Sequence, residues 1–533
     1  MDGRAQTTSY EQTGFFSTIV IDYLNGNPLL APFYTHSPSV EGLKNALSQK
    51  VFSAEARQLL VSVLKEQYSG VSASDAVEKN LGLLLQPNTF SICTAHQPNL
   101  FTGPLYFIYK ILHAIKLAEF CKVQFPQNNF VPVYFMGSED ADLEELNHFS
   151  VEGKKYEWKT DQKGAVGRML VDKGILELIN ELEGQLSVQP FGDTFIDLLK
   201  ECFTLQKPVQ TATFEVVHQL FEKFGLLILI PDHPQFKKAA QAIFEQELLQ
   251  QSSSKIVGDT MTRINQHYKV QAHPREINLF YLKGDSRERI ITNKEGFAVN
   301  NTSQTFLKEE MLEELRLYPE RFSPNVILRG LFQETILPNI AFIGGGGELA
   351  YWLQLKDLFS HYKTPFPVLI LRNSFLVIET KWQEKISALP LHILDLFQPQ
   401  DKLFNELVKK FSDNNLSLEE NITSILKVYS QVQEKAAAVD ATLLKHIGAL
   451  ETNAKKGLEG LAQKMMRAEK KKFAAQQSKV EAIKKALFPG ESLQERVENI
   501  AGFYSKYGPS FIDLMYKHLL TTEQEFTILL LDQ

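Results

Sequence analysis

The sequence predicts an α/β protein: a doubly wound parallel sheet carrying insertions, followed by an α-helical region with a heptad seam. Three observations lead there. Short β-branched or aromatic runs alternate with longer helical patterns through most of the chain, the texture of βαβ units. The loops after several of these runs hold glycines and charged side chains, where doubly wound sheets bind ligands. From about Leu416 no proline appears until Pro489, and Ala, Glu, Lys, Leu and Gln dominate.

The elements follow in order. Residues 90–94 (FSICT) read as a buried strand, 95–103 as a loop, and 104–121 as a helix opening on Pro104, whose missing N–H costs nothing at that position. Residues 130–136 (FVPVYFM) are a second strand, which Pro132 moves toward an edge or a strand start. Residues 226–230, 340–343 and 368–371 supply three more, the last two separated by a helix over 348–361. Between them, 150–220 read as a ribbon followed by helices. Residues 276–300 read as a β-meander turning at Gly284-Asp285 and at 293–296. Neither insertion carries an obvious chemical motif.

In the proline-free region, Ile422, Ile425, Tyr429, Val432, Ala436, Val439 and Leu443 alternate spacings of three and four, a heptad seam. The phase slips at Ile447, so the second half is a stuttered continuation or the return arm of a hairpin. A partner helix could come from a second copy, which makes a homodimer the expected assembly. Residues 451–486 hold ten Lys/Arg against four Glu. With almost no aromatic residues to stack on bases, they read as a solvated face rather than a nucleic-acid site. The expected divisions are 1–149 (first part of the core with a helical lead-in), 150–225 (connecting insertion), 226–275 (core) and 276–318 (meander). Residues 319–390 return to the core with the glycine-rich loop, 391–488 form the coiled coil, and 489–533 lead back as a helical segment.

Composition narrows the function classes. At roughly 100–200 residues per domain, 533 residues imply two to four units. A net charge of -7 argues against a surface built to coat nucleic acid. Cys93, Cys121 and Cys202 lie far apart without a CxxC pair, which offers neither a disulfide framework nor a cysteine-rich zinc site. The N-terminus lacks a basic stretch followed by an apolar one, and no apolar run approaches the ~20 residues of a membrane helix. The expectation is a cytoplasmic protein with no membrane partner.

Three constellations could carry chemistry. In TAHQPNLFTG (94–103), His96 and Gln97 sit at a strand's carboxyl edge, and Thr102 and Gly103 lead into a helix start suited to anions. His96 could shuttle a proton near neutral pH, or merely tie the loop to backbone. In GSEDADLEELNH (137–148), Glu139, Asp140 and Asp142 could grip an ammonium group, a hydroxyl pair or nucleotide-bound magnesium, with His148 behind them. The helix-dipole reading of acidic residues accounts for Glu144 and Glu145. In FIGGGGELAY (342–351), Gly344, Gly345, Gly346 and Gly347 could bring backbone N–H groups against a phosphate or carboxylate, Gly346 through a positive φ. Neither a Walker lysine nor a completed G-x-G-x-x-G accompanies them. Arg321 and Arg329 could hold an anionic substrate, and Arg372-Asn373-Ser374 repeat a cation with two small polar groups at a strand's edge. Such loop residues should affect activity more than stability.

These blocks, together with RFSPNVILR, LILRNSF and PGESLQERVENIAGFYSKYGP, resemble in order the bacillithiol biosynthesis cysteine-adding enzymes, the BshC family. The family's GQQ stretch stands here as Ala95-His96-Gln97, and its GGPGE as Gly344–Gly347 with Glu348. The resemblance implies an α/β fold with a Rossmann-like, nucleotidyltransferase-type core, connecting-peptide insertions and an α-helical coiled-coil domain that dimerises. It also implies a ligase that joins the carboxyl group of cysteine to the amine of glucosaminyl malate. ATP, with magnesium, would be the activating co-substrate, without zinc. On that reading His96, Gln97, Asp140, His148 and Arg372 are catalytic. Thr102, Gly103, the four glycines, Asn373 and Ser374 hold the nucleotide, and Glu139, Asp142, Arg321 and Arg329 hold substrate. Two other classes stay open: an acyl or nucleotidyl transferase of different specificity on the same core, and a coiled-coil assembly or RNA-binding protein.

Overall fold

The computed structural model describes residues 1–532. It divides into two units, residues 1–377 with 493–532, and residues 378–492.

In the first unit, β1 (Gly3–Ser9) pairs antiparallel with the last strand of the chain. Helices Val40–Gln49, Ala54–Tyr68 and Asp75–Leu83 follow, each started by a serine, Ser39, Ser53 or Ser74, whose hydroxyl accepts a first-turn N–H. The core then begins with β2 (Thr89–His96), α1 (Tyr106–Gln124) and β3 (Asn129–Met136). After α2 (Leu143–Leu146), the ribbon β4 (His148–Val151) and β5 (Lys154–Glu157) leads into helices before β6 (Leu227–Leu229). A meander of β7 (Leu279–Lys283), β8 (Ser286–Thr292), β9 (Gly296–Val299) and β10 (Thr305–Leu307) is completed by β11 (Phe322–Pro324). Then come α3 (Val326–Ile336), β12 (Asn339–Gly344), α4 (Gly346–Trp352), β13 (Val368–Leu371) and β14 (Phe375–Ile378). The final strand, β15 (Glu525–Leu531), lies between β1 and β14.

All five expected core strands form one parallel sheet in the order β13-β12-β2-β3-β6. The order reverses beside β2, whose chain neighbour β3 lies on one side and β12 on the other. Below that point Ile92, Ala114, Leu117, Cys121, Ile343 and Ile370 build an apolar core between the sheet and α1. The alternating hydroxyls and aliphatics of β2 are buried on both faces, as a central parallel strand requires.

Three local expectations shift. Pro132 stands in a central strand; β6 joins only from Val133, so the proline lies where β3 still has one neighbour and its missing N–H breaks no ladder. The helix opens at Tyr106 rather than Pro104, because Pro104 bridges Asn499 and Leu105 N donates to Glu498 O at 2.8 Å. The helix expected over 348–361 is two, broken between Trp352 and Lys356.

The second unit is helical. Helices α5 (Glu419–Ala437) and α6 (Leu443–Lys470) pack together as a hairpin, which decides the slipped heptad in favour of a return arm. Phe404, Val408 and Leu416 form a small core of this unit with Met465, Met466 and Phe473. Much of the hairpin's apolar content stays outside: Val428, Val432, Leu443, Leu450 and Leu461 are exposed. No helix of the described residues is long and apolar enough to cross a membrane.

Candidate functional site

A cavity of about 590 Å³ opens at the carboxyl edge of the core sheet, where the strand order reverses. β2 and its loop supply Ala95, His96 and Gln97. α1 supplies Tyr106 and Lys110, and the loop after β3 supplies Gly137 and Asp140. The start of α4 supplies Gly345, Gly346, Gly347 and Glu348. Arg329, Arg372 and Arg496 arrive from three further segments.

On one wall His96, Gln97 and Asp140 form a relay. Gln97 Nε2 donates to Asp140 Oδ2 at 3.2 Å, which turns the amide oxygen toward His96 Nδ1 at 2.6 Å. The backbone N of Gln97 also donates to Nδ1 at 2.8 Å, so Nδ1 faces both a donor and an acceptor, contacts that call for opposite imidazole tautomers. The other ring nitrogen, Nε2, is buried and has no hydrogen-bond partner. Burial and the Lys110 charge hold the ring's pKa well below its ordinary value, so it is neutral at physiological pH. The ring stacks on Tyr106 at 5.3 Å. Burial alone would raise the Asp140 carboxyl, yet Arg329, 3.2 Å away, and Arg287 outweigh it and hold the pKa at about 2.

On the other wall the four glycines join β12 to α4. None has a positive φ, so the expected left-handed turn at Gly346 is absent. Gly345 is extended, at φ -74° and ψ 169°, and the chain enters the helix directly. Glycine serves closeness instead: a Cβ on Gly344 would sit 2.8 Å from the Phe342 ring and 2.9 Å from Leu349, whereas a Cβ on Gly347 would meet nothing within 4 Å. Gly345 N donates to Glu348 Oε2 at 2.7 Å, and that carboxylate also pairs with Lys110. The N–H groups of Gly346 and Gly347, in the first helical turn, have no intrahelical acceptors.

Several expected site residues lie elsewhere. Thr102 and Gly103 turn inward with Phe101 through three consecutive positive φ values, 47°, 73° and 61°. Phe101 packs against Phe149 and Phe203, while Asn499 Nδ2 donates to the carbonyls of Phe101 and Gly103 at 2.8 and 2.6 Å. Asn373 faces His113, its N and Nδ2 lying 3.2 and 3.1 Å from Nδ1, and Ser374 Oγ accepts from Arg372. Both residues brace the loop after β13 and line no part of the cavity. The acidic triple splits three ways: Glu139 pairs with buried Lys237 at 2.5 Å, Asp140 faces the cavity, and Asp142 caps α2 by accepting from Glu145 N at 3.3 Å. His148 bonds its own chain at Glu144 O, 3.0 Å away, and Arg321 is captured by Glu314.

Sequence reasoning missed Lys110, Glu145, Glu348 and Arg496. Lys110 had a signal: it is the lone charge in YFIYKILHAI. Glu145, set aside as a helix-dipole residue, lines the cavity, where lost water and the nearby Asp140 and Asp142 charges raise its pKa. Glu145 and Arg496 have no ion-pair partner within 4.0 Å among the described residues. A site with a free cation, a free carboxylate and an unpartnered imidazole can hold a substrate anion and an amine while accepting a proton.

A parallel sheet of this order, with a polar cavity at its reversal point, defines the Rossmann-like class of α/β proteins. The model for the N-terminal Rossmann-like domain of bacillithiol biosynthesis BshC matches residues 4–373, and that for its C-terminal coiled-coil domain matches residues 375–531. The chain belongs to this family. It is 38% identical over 523 residues to a Flavobacterium johnsoniae protein named "Putative cysteine ligase BshC", covering 98% of each chain. Proteins of the same name from Flavobacterium psychrophilum and Christiangramia forsetii are 38% and 37% identical, again over 98% of each chain.

Proposed function

We propose that this protein is an ATP-dependent ligase that joins the carboxyl group of cysteine to the amine of glucosaminyl malate in the cytoplasm, completing bacillithiol. Family membership supports the pathway. The single structural observation that carries the chemistry is the unpartnered, neutral His96 Nε2 inside a cavity rich in cations.

The residues suit a nucleotide. The cavity holds about 590 Å³, and Gly346 and Gly347 present first-turn N–H groups beside Lys110, Arg372 and Arg496. These groups would hold its phosphates, and the open space above Gly347 leaves room for them. ATP, when bound, supplies the leaving group that makes a free carboxylate reactive. Thr102, Gly103, Asn373 and Ser374 drop out of the nucleotide set because they do not reach the cavity. The split acidic triple favours no magnesium site built from Glu139, Asp140 and Asp142 together.

Glu145 would orient the incoming ammonium group, and His96 Nε2 would take the proton that the amine must lose before or during attack. The step needs the proton on Nδ1, a tautomer that the Gln97 amide oxygen, turned by Asp140, would favour. Arg372 and Arg496 would stabilise negative charge developing on the acyl oxygen. The exposed apolar residues of α5 and α6 support a further reading, that two copies pair through their hairpins.

The test is reconstitution. Purified protein given cysteine, glucosaminyl malate and ATP with magnesium should yield bacillithiol, detected as its thiol derivative by mass spectrometry. A deletion strain should lose bacillithiol and accumulate glucosaminyl malate. Normal bacillithiol in that strain overturns the reading.

A further inference from the structure

The meander that carried no motif in the sequence builds a second lobe beside the cavity. It encloses about 340 Å³ and shares Asp140, Val326 and Arg329 with the first. Its remaining charged lining is Arg275, Arg287 and Arg289, with His273 alongside. Arg287 and Arg289 stand two apart on β8 and so share a face of the sheet.

Four guanidinium groups therefore face one carboxylate, and that carboxylate is already taken by Arg329 at 3.2 Å. Among the described residues no carboxylate lies within 4.0 Å of Arg275, Arg287 or Arg289. The groups are nevertheless positioned. Arg287 lies over the Phe280 ring, 3.9 Å from its centroid, and its Nε donates to Ser323 Oγ at 3.1 Å, which leaves its terminal nitrogens free. Arg275 is fixed at its backbone, where N donates to Asn278 Oδ1 at 3.0 Å and the carbonyl accepts from Asn278 Nδ2 at 3.0 Å. Crowding has a cost that shows in Arg287, which burial and the neighbouring Arg329 push down to about 10. A cluster of like charges that destabilises itself, aimed into one recess and connected to the reaction cavity, is relieved by a multiply charged anion.

We propose that this lobe binds the doubly anionic end of a substrate, two carboxylates or two phosphates held a few ångströms apart, whose other end reaches the main cavity past Arg329. Assigning that end to the dicarboxylate of the amine substrate rests on the proposed function; the anion site itself does not.

Calorimetric titration of the full-length protein with L-malate, inorganic pyrophosphate and acetate, without cysteine or ATP, tests it. The wild type should bind malate or pyrophosphate, and acetate at least tenfold more weakly. Arg275→Gln with Arg289→Gln, both exposed, should weaken the bound dianion at least tenfold with an unchanged melting temperature. Tighter malate supports the dicarboxylate source; tighter pyrophosphate keeps the anion site and overturns the malate assignment. Acetate binding as well as malate, no binding of either dianion at 10 mM, or binding unaffected by the double substitution overturns the proposal. A protein that fails to make bacillithiol yet passes this test loses the proposed reaction and keeps the site.

Discussion

Arg372 and Glu495 meet at 2.6 Å with 4% and 0% of their side-chain surfaces exposed, joining the loop after β13 to the segment that leads back from residue 493. Glu495 also accepts from Phe375 N at 3.1 Å. The expectation that Arg372 affects activity alone therefore does not hold. Removing one member of a buried pair strands the other, which costs about 3–5 kcal/mol. Arg372→Ala should lose stability on that scale in urea unfolding, and Arg372→Met with Glu495→Leu should recover most of it. An Arg372→Ala midpoint equal to wild type would show that the pair does not clamp the two segments.

For His96, burial and then Lys110 depress the pKa well below 6.5. The unprotonated ring is the working form in the proposed step, so the acid limb of kcat/KM should fall below pH 6.5. His96→Asn should reduce product formation by about 10²–10⁴ with little change in substrate affinity. A limb at or above pH 6.5 would assign the base to another group.

Gly347 separates folding from function. Its φ is ordinary and a Cβ there meets no atom within 4 Å. Gly347→Ala should thus leave stability unchanged or raise it by up to about 0.5–1 kcal/mol, while a methyl at the mouth of the cavity raises the KM for ATP. A destabilised but fully active variant would mean that the turn only closes the sheet.

His113 couples the same region to pH. It is fully buried, with Nε2 2.8 Å from Thr521 O, and burial lowers its pKa to about 4. Above about pH 6.5 the ring is neutral both folded and unfolded and contributes no pH dependence. Below that the unfolded chain takes up the proton first, so stability falls as pH drops toward 4, by about 3 kcal/mol in all at ~1.4 kcal/mol per unit. His113→Gln should flatten this part of the stability curve between pH 6.5 and 4, measured by urea midpoints.

The hairpin prediction uses residues that a single copy leaves wet. Val428 and Leu450 are 55% and 43% exposed, so changing both to Lys should alter the fold of one chain by no more than about 1 kcal/mol. If two copies pair there, sedimentation should shift from dimer to monomer. An unchanged mass places any pairing elsewhere.

The sequence by itself determined the five core strands, the insertions between them and the helical region, because periodicity and chain breakers are local properties that the tertiary fold left in place. It also brought His96, Gln97, Asp140, Arg372 and the glycine turn to one edge, since loops after parallel strands share an edge by topology. Only the tertiary structure decided which neighbours face the cavity. Asp142 and Glu145 are three residues apart, yet one caps a helix and the other lines the site. Arg321 looked equivalent to Arg329, but Glu314, seven residues earlier in the chain, captures it. Lys110 and Arg496 come from segments 386 residues apart that meet only in the folded chain. The partners of Asp142 and Arg321 stand close by in the chain, yet which local option each takes is set by the fold, and the meeting of Lys110 with Arg496 lies in no window along the chain.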